Sequence, residues 1–89
     1  MIVALKDGTE FSAMRVSRSY DMASMEVILT IEFAVASMED IAECDFSEIT
    51  IKRPGRQDKQ FTGYIVRDIS ESYDDRYTST SVSLVLGDS

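Results

Sequence analysis

The residues with the greatest capacity for chemistry are charged, and they form two groups of opposite sign. The basic group lies in the stretch K-R-P-G-R-Q-D-K and comprises Lys52, Arg53, Arg56 and Lys59. The acidic group precedes it and comprises Glu39, Asp40, Glu43 and Asp45. Clusters of one sign can bind a surface of the other sign, so all eight are candidate protein-contact residues. The alternative is a solvated loop and a solvated helix face whose charges only maintain solubility.

Adjacent carboxylates are the other feature that could bind a ligand. Asp74-Asp75 and Glu39-Asp40 are such pairs, but a calcium loop needs alternating oxygen ligands and a turning glycine, as in D-x-D-x-D-G. The chain contains no His and one Cys, and it lacks the glycine-rich patterns of phosphate-binding loops. We therefore expect no metal, no cofactor and no enzymatic activity. Acid–base catalysis by two carboxylates depends on their separation in space, which the sequence does not report.

The single cysteine, Cys44, cannot form a disulfide within the chain. No basic residue lies between Phe33 and Ile51, so nothing nearby in sequence would lower the pKa of its thiol. We expect Cys44 to be an inert, at least half-buried side chain.

The overall charge restricts the partners. Nine Lys and Arg against sixteen Asp and Glu leave a formal charge of −7, which opposes binding of nucleic acid or anionic lipid by the whole surface. Tyrosines 64, 73 and 77 could stack on bases, but interleaved acids favour packing within the protein instead. No apolar run approaches the length of a membrane span, and the first residues do not resemble a signal peptide. We expect a cytoplasmic protein that binds neither nucleic acid nor membrane.

The elements that position these groups are mostly strands. In residues 24–33, apolar side chains alternate with polar ones except at Ile28, which is the period-two pattern of a half-buried strand. We expect it to be the central strand of one sheet. Similar runs predict five further strands at residues 1–6, 9–18, 48–53, 59–70 and 77–86. Asp7-Gly8 predicts a type I′ turn between the first two, and Gly63 predicts a bulge or close backbone approach within the fifth.

One short helix interrupts the strands. Ser37 precedes Glu39 and Asp40, which suits a helix start because the serine can cap it and the acids lie at the positive end of its dipole. The apolar residues Met38, Ile41 and Ala42 follow helical spacing. The fold class is therefore α+β and strand-dominated, in the order β-β-β-α-β-β-β. We expect a single domain, residues 1–89, built as a six-stranded antiparallel curved sheet or small barrel with one short helix.

Several of these segments together resemble a known group of sequences. They are L-K-D-G-T at residues 5–9, E-V-I-L-T-I-E-F at 26–33, S-M-E-D-I at 37–41, I-T-I at 49–51 and F-T-G-Y at 61–64. The combination is similar to small bacteriophage and prophage proteins of the tail and baseplate gene module. That resemblance implies a non-enzymatic structural or assembly role, with no catalytic residues to assign.

Two functions follow as hypotheses. The first is a phage-derived assembly protein that contacts other tail proteins or further copies of itself, in the bacterial cytoplasm or in the virion. The second is a small acidic inhibitor that mimics nucleic acid and binds a basic host protein, which the charge of −7 suggests.

Overall fold

A computed structural model describes residues 1–34, 36–73, 76 and 78–87. Within these residues there are seven strands and one helix. The elements are β1 (Ile2–Leu5), β2 (Glu10–Asp21), β3 (Glu26–Ala34), α1 (Met38–Ala42), β4 (Glu48–Lys52), β5 (Lys59–Thr62), β6 (Tyr64–Tyr73) and β7 (Thr78–Leu86). The strands form one open antiparallel sheet in the order β5-β4-β1-β2-β3-β7-β6. The prediction of a strand-dominated chain with one short helix is confirmed.

Two finer parts of the fold prediction are wrong: the sheet has seven strands in the described residues rather than six, and it is not a closed barrel. The extra strand arises at Gly63, whose φ of +81° divides the segment predicted as one strand. Such a positive φ is readily reached only by glycine. On one side of Gly63, β5 pairs with β4, and on the other side β6 pairs with β7. Consecutive strands therefore lie at opposite edges of the sheet, and no register joins them in the described residues.

The hydrophobic core is centred on β3. Leu29, Ile31 and Phe33 are fully buried, as the alternating pattern predicts. β3 pairs with β2 on one side and β7 on the other, although β2 has the middle place in the strand order. Strands from both halves of the sheet contribute to the same core through fully buried Val3, Ile49 and Leu84. Burial of apolar area in this shared core is the main stabilising contribution to the fold.

Two register shifts change which side chains face the core, compared with strict alternation. The β2–β3 register shifts between Ala13 and Arg15, so Ala13 is buried and Met14, which strict alternation with Val16 would turn inward, is exposed. A second register shift lies between Val66 and Asp68. Because of it, Tyr64 before the shift and Ile69 after it both face inward, although strict alternation would put them on opposite faces. An extra residue in one strand reverses which face the following side chains occupy, which strict alternation does not anticipate.

The ends of the chain elements also differ from prediction. Leu86 at the end of β7 is exposed and Ser79 near its start is buried, although strict apolar-in, polar-out alternation would give the reverse. The first hairpin forms as expected, but four residues separate its strands and only Gly8 among them has positive φ, so it is not a type I′ turn. The predicted start of the last strand at Tyr77 lies outside the described residues.

The helix covers one end of the core. Ser37 accepts a hydrogen bond from the N–H of Asp40 at 3.2 Å, which confirms the predicted cap. Ile41 is fully buried and Phe46, just after the helix, is nearly so. Because α1 has only five residues, its stability depends on this packing rather than on helix propensity. No helix among the described residues is long and apolar enough to cross a membrane.

Candidate protein-binding site

The basic stretch forms the connection between β4 and β5. Its turn is held by a backbone bond from Arg56 N–H to Arg53 C=O at 3.2 Å, with Gly55 at a φ of +70°. Lys52 points elsewhere: its Nζ lies 3.0 Å from a Glu10 carboxylate oxygen, and this hydrogen bond raises the pKa of the lysine. Lys52 is therefore already paired, and three of the four predicted cations remain for an outside contact.

Two of those three line a cavity of about 270 Å³. Arg53 and Lys59 contribute from the β4–β5 connection, and Arg18 contributes from β2. Its apolar lining is formed by Met1, Val16, Leu29, Ile51 and Phe61. A concave apolar surface with a few convergent charged groups is typical of a binding site. We call Arg18, Arg53, Arg56 and Lys59 the basic end.

Arg18 is the member that the sequence analysis missed. Its guanidinium carbon lies 6.0 Å from the centre of the Phe61 ring, a cation–π distance that joins β2 to β5 across the cavity. The sequence analysis assigned no role to this arginine. The pairing partner is 43 residues away in sequence, so no local signal would have indicated it.

The guanidinium of Arg53 is incompletely hydrogen-bonded within the described residues. One terminal nitrogen of its guanidinium donates to the Gln57 carbonyl at 3.5 Å, a long bond. Its Nε is buried and has no hydrogen-bond partner among the described residues. A buried donor without an acceptor costs free energy, and an acceptor from a bound partner would remove that cost. Within the same residues, no carboxylate lies within 4.0 Å of Arg18, Arg53 or Lys59.

The acidic residues lie on and just after α1, before the start of β4. Glu39 and Asp40 occupy the first turn of α1, Glu43 caps its end, and Asp45 follows; all four are exposed. The Asp45 carboxylate accepts the N–H of Ser47 at 2.9 Å, which lowers the pKa of Asp45. We call these four residues the acidic end.

β4 separates the two ends. The acidic residues precede Glu48, the first residue of β4, and the basic residues of the hairpin follow Lys52, its last. At about 3.4 Å per residue, these five residues span roughly 14 Å. The two predicted charge groups are therefore not brought together within one molecule, and they face opposite directions along the strand.

Cys44 lies between the acidic residues and is half-buried. Its Sγ donates to the carbonyl of Asp40 at 3.2 Å. Burial raises the pKa of the thiol, and the negative charges of Asp7, Asp40 and Glu43 raise it further. The thiolate that would act as a nucleophile is therefore disfavoured, in agreement with the expectation of an inert side chain.

The remaining candidates from the sequence are the carboxylates considered for a metal site and the tyrosines considered for base stacking. In the part of the chain that the structure describes, no three Cys, Asp or Glu side chains are grouped to hold a metal ion. Asp74 and Asp75 lie outside that part. Tyr64 is buried against Phe61, with ring centres 5.9 Å apart, whereas Tyr73 is exposed, so these two do not form one stacking surface.

A carboxylate on β6 ties the sheet to the helix. Glu71 accepts hydrogen bonds from the Tyr73 hydroxyl and from the N–H of Met38, the latter at 3.1 Å. These bonds, the tyrosine first, lower the pKa of Glu71 below its ordinary 4.5. A carboxylate with a depressed pKa in the folded state stabilises the fold above its unfolded pKa. That stabilisation is lost as the pH falls through the folded pKa.

We expect the Glu71→Gln variant to be less stable than the parent chain at neutral pH. The difference should stay constant down to about pH 5 and then shrink as the parent loses its Glu71 carboxylate. Urea unfolding midpoints measured from pH 7 to pH 3 test this. A difference that is the same at pH 3 as at pH 7 would show that Glu71 contributes no ionised contact.

No protein-family model, curated protein or solved structure matches this chain. The fold and the site together define a small antiparallel β domain with one short helix and a basic cavity at one end.

Proposed function

We propose that this protein is a non-enzymatic assembly protein of a phage tail or baseplate module and that it acts through protein–protein contacts. The resemblance of its sequence segments to proteins of that module motivates the setting. The observation that carries the contact itself is the opposite charge of the two ends, separated by the length of β4. Such a molecule can bind a second copy head to tail, with the acidic end of one against the basic end of the next.

The physical advantage of this arrangement lies in its repetition. A head-to-tail contact leaves one unused basic end and one unused acidic end, so further copies can add until a ring closes or a stack extends. The apolar lining of the cavity adds a contribution that ionic strength does not weaken, whereas the exposed charges are screened. Assembly should therefore weaken, and not vanish, at high salt.

Light scattering across a concentration series tests self-assembly directly. We expect oligomers at low salt, and we expect Arg56→Glu with Lys59→Glu to weaken association by about tenfold or more. Both side chains are exposed, so this variant should fold. Arg15→Glu with Arg76→Glu is the matched control, because it makes the same charge change at exposed positions away from the cavity lining.

A mixing experiment establishes the head-to-tail geometry. The variant Glu39→Lys with Glu43→Lys should also fail to self-associate, because two lysines against Asp40 and Asp45 leave its acidic end without net negative charge. Mixing it with the Arg56→Glu, Lys59→Glu variant should restore association between unlike copies. A parent chain that stays monomeric at millimolar concentration, or a mixture that stays monomeric, would contradict self-assembly.

A further inference from the structure

The second half of β2 has a free side. β1 pairs with β2 only at its beginning, where Ile2, Val3 and Ala4 face residues 10–12. From Arg15 to Asp21, β2 pairs with β3 alone. No other strand among the described residues lies in register with this part of β2. A strand edge of this kind presents backbone hydrogen-bonding groups to any chain that can align with it.

The pairing pattern identifies those groups. Antiparallel ladders alternate, so successive residues direct their N–H and C=O groups to opposite sides of the strand. Ala13 donates its N–H to the carbonyl of Met1 at 2.8 Å, which directs it toward the β1 side. The bulge that follows Ala13 shifts the alternation by one residue. Val16, Arg18 and Tyr20 therefore direct their N–H and C=O groups away from β3, toward the free side.

The side chains beside this edge select the chemistry of a partner. Val16 and Arg18 line the cavity, and Arg53 and Lys59 lie across it. Tyr20, at the far end of the edge, is 55% exposed. Cations along an edge oppose pairing with a basic strand and favour an acidic one. Because successive side chains of a strand point to opposite faces, the acids of such a segment must occupy alternate positions to reach these cations.

We infer that the free edge of β2 from Val16 to Tyr20 is a strand-addition site for an extended acidic segment of a partner protein. The segment pairs its backbone with Val16, Arg18 and Tyr20 and turns alternate acidic side chains toward the cavity. Its carboxylates contact the basic end. Main-chain bonds supply affinity in this mode of recognition, and the side-chain pockets supply specificity. The inference rests on the proposed function, because it names the kind of partner that the basic end binds.

Amide hydrogen exchange read by NMR tests the backbone pairing. The probe is a capped hexapeptide in which Glu and Val alternate, added at millimolar concentration to chain too dilute to self-associate. We expect bound peptide to slow the exchange of the Val16, Arg18 and Tyr20 amides by about tenfold or more. The intervening amides of Ser17 and Ser19 already face β3, so their exchange should not change.

Variants and peptides separate this site from simple charge attraction. Arg18→Glu should weaken peptide binding by about tenfold or more. Arg15→Glu makes the same change on the same strand outside the cavity and should bind as the parent does. A peptide with N-methylated Glu residues keeps the charges but lacks the amide donors that face β2, so it should not protect the edge. A peptide with Lys in place of Glu should not bind.

Two results would overturn the inference. One is binding that leaves the amides of Val16, Arg18 and Tyr20 unprotected, because the peptide would then be held by charge alone. The other is protection that is equal for the Glu and Lys peptides. Either result can occur while the parent chain still self-associates, and strand addition can occur in a chain that stays monomeric. Failure of this inference is therefore distinguishable from failure of the proposed self-assembly.

Discussion

Replacing Phe33 with alanine is expected to lower the free energy of unfolding by about 3–5 kcal/mol. Phe33 is fully buried on β3, where its ring centre lies 5.5 Å from that of Phe11 and 6.3 Å from that of Phe46. It thus joins β2, β3 and the segment after the helix. Because small domains are stable by only about 5–15 kcal/mol, this single cavity would remove a large part of the total.

Urea unfolding followed by circular dichroism measures this loss, provided that the m-value stays unchanged. Met22→Ala is the matched control, since Met22 is a large apolar residue that is 83% exposed in the β2–β3 turn. Its replacement should change stability by less than about 0.5 kcal/mol. A loss below about 1 kcal/mol for Phe33→Ala would contradict the central place of this ring in the core.

Thr80→Val is expected to cost about 1–3 kcal/mol, although the two side chains have almost the same shape. Thr80 on β7 is fully buried, and its hydroxyl donates to the carbonyl of Ala36 at 2.6 Å. Ala36 lies immediately before the helix cap and is itself buried. Valine would leave this carbonyl without the hydroxyl donor, and the connection between the sheet and the start of α1 would loosen.

Thr80→Ser provides the comparison, because it keeps the hydroxyl and removes only a methyl group, worth about 1 kcal/mol. The two variants should differ most at the helix. In Thr80→Val, the amides of Ile41 and Cys44, which bond to the carbonyls of Ser37 and Ile41, should exchange faster than in Thr80→Ser. Equal exchange in the two variants would show that the hydroxyl does not hold the helix in place.

The proposed assembly and strand addition at the β2 edge both use the basic end, but only strand addition also uses the backbone of β2. Assembly depends on exposed charges such as Arg56 and Lys59 and should be sensitive to salt. Strand addition depends on the backbone of Val16, Arg18 and Tyr20 and adds hydrogen bonds that salt does not screen. Salt dependence, measured for each process separately, therefore distinguishes the two contributions.

Local pattern determined the elements of this protein. Alternation of apolar and polar residues predicted most strands to within a few residues, although it merged β5 and β6 into one, and Ser37 with its following acids predicted the helix start. The two charge groups could also be identified from the sequence, because the members of each lie close together in the chain. These features depend on each residue and its immediate neighbours, which is why the sequence alone reveals them.

Tertiary structure decided where those elements lie and which charges meet. The bulge after Ala13 exposes Met14, and Gly63 sends β5 and β6 to opposite edges of the sheet. Arg18 joins Arg53 and Lys59 around the cavity although no local pattern connects them. Register and bulges depend on the partner strand as much as on the strand itself, since one inserted residue reverses every following side chain. The site is built from such long-range pairings, and so only the folded chain reveals it.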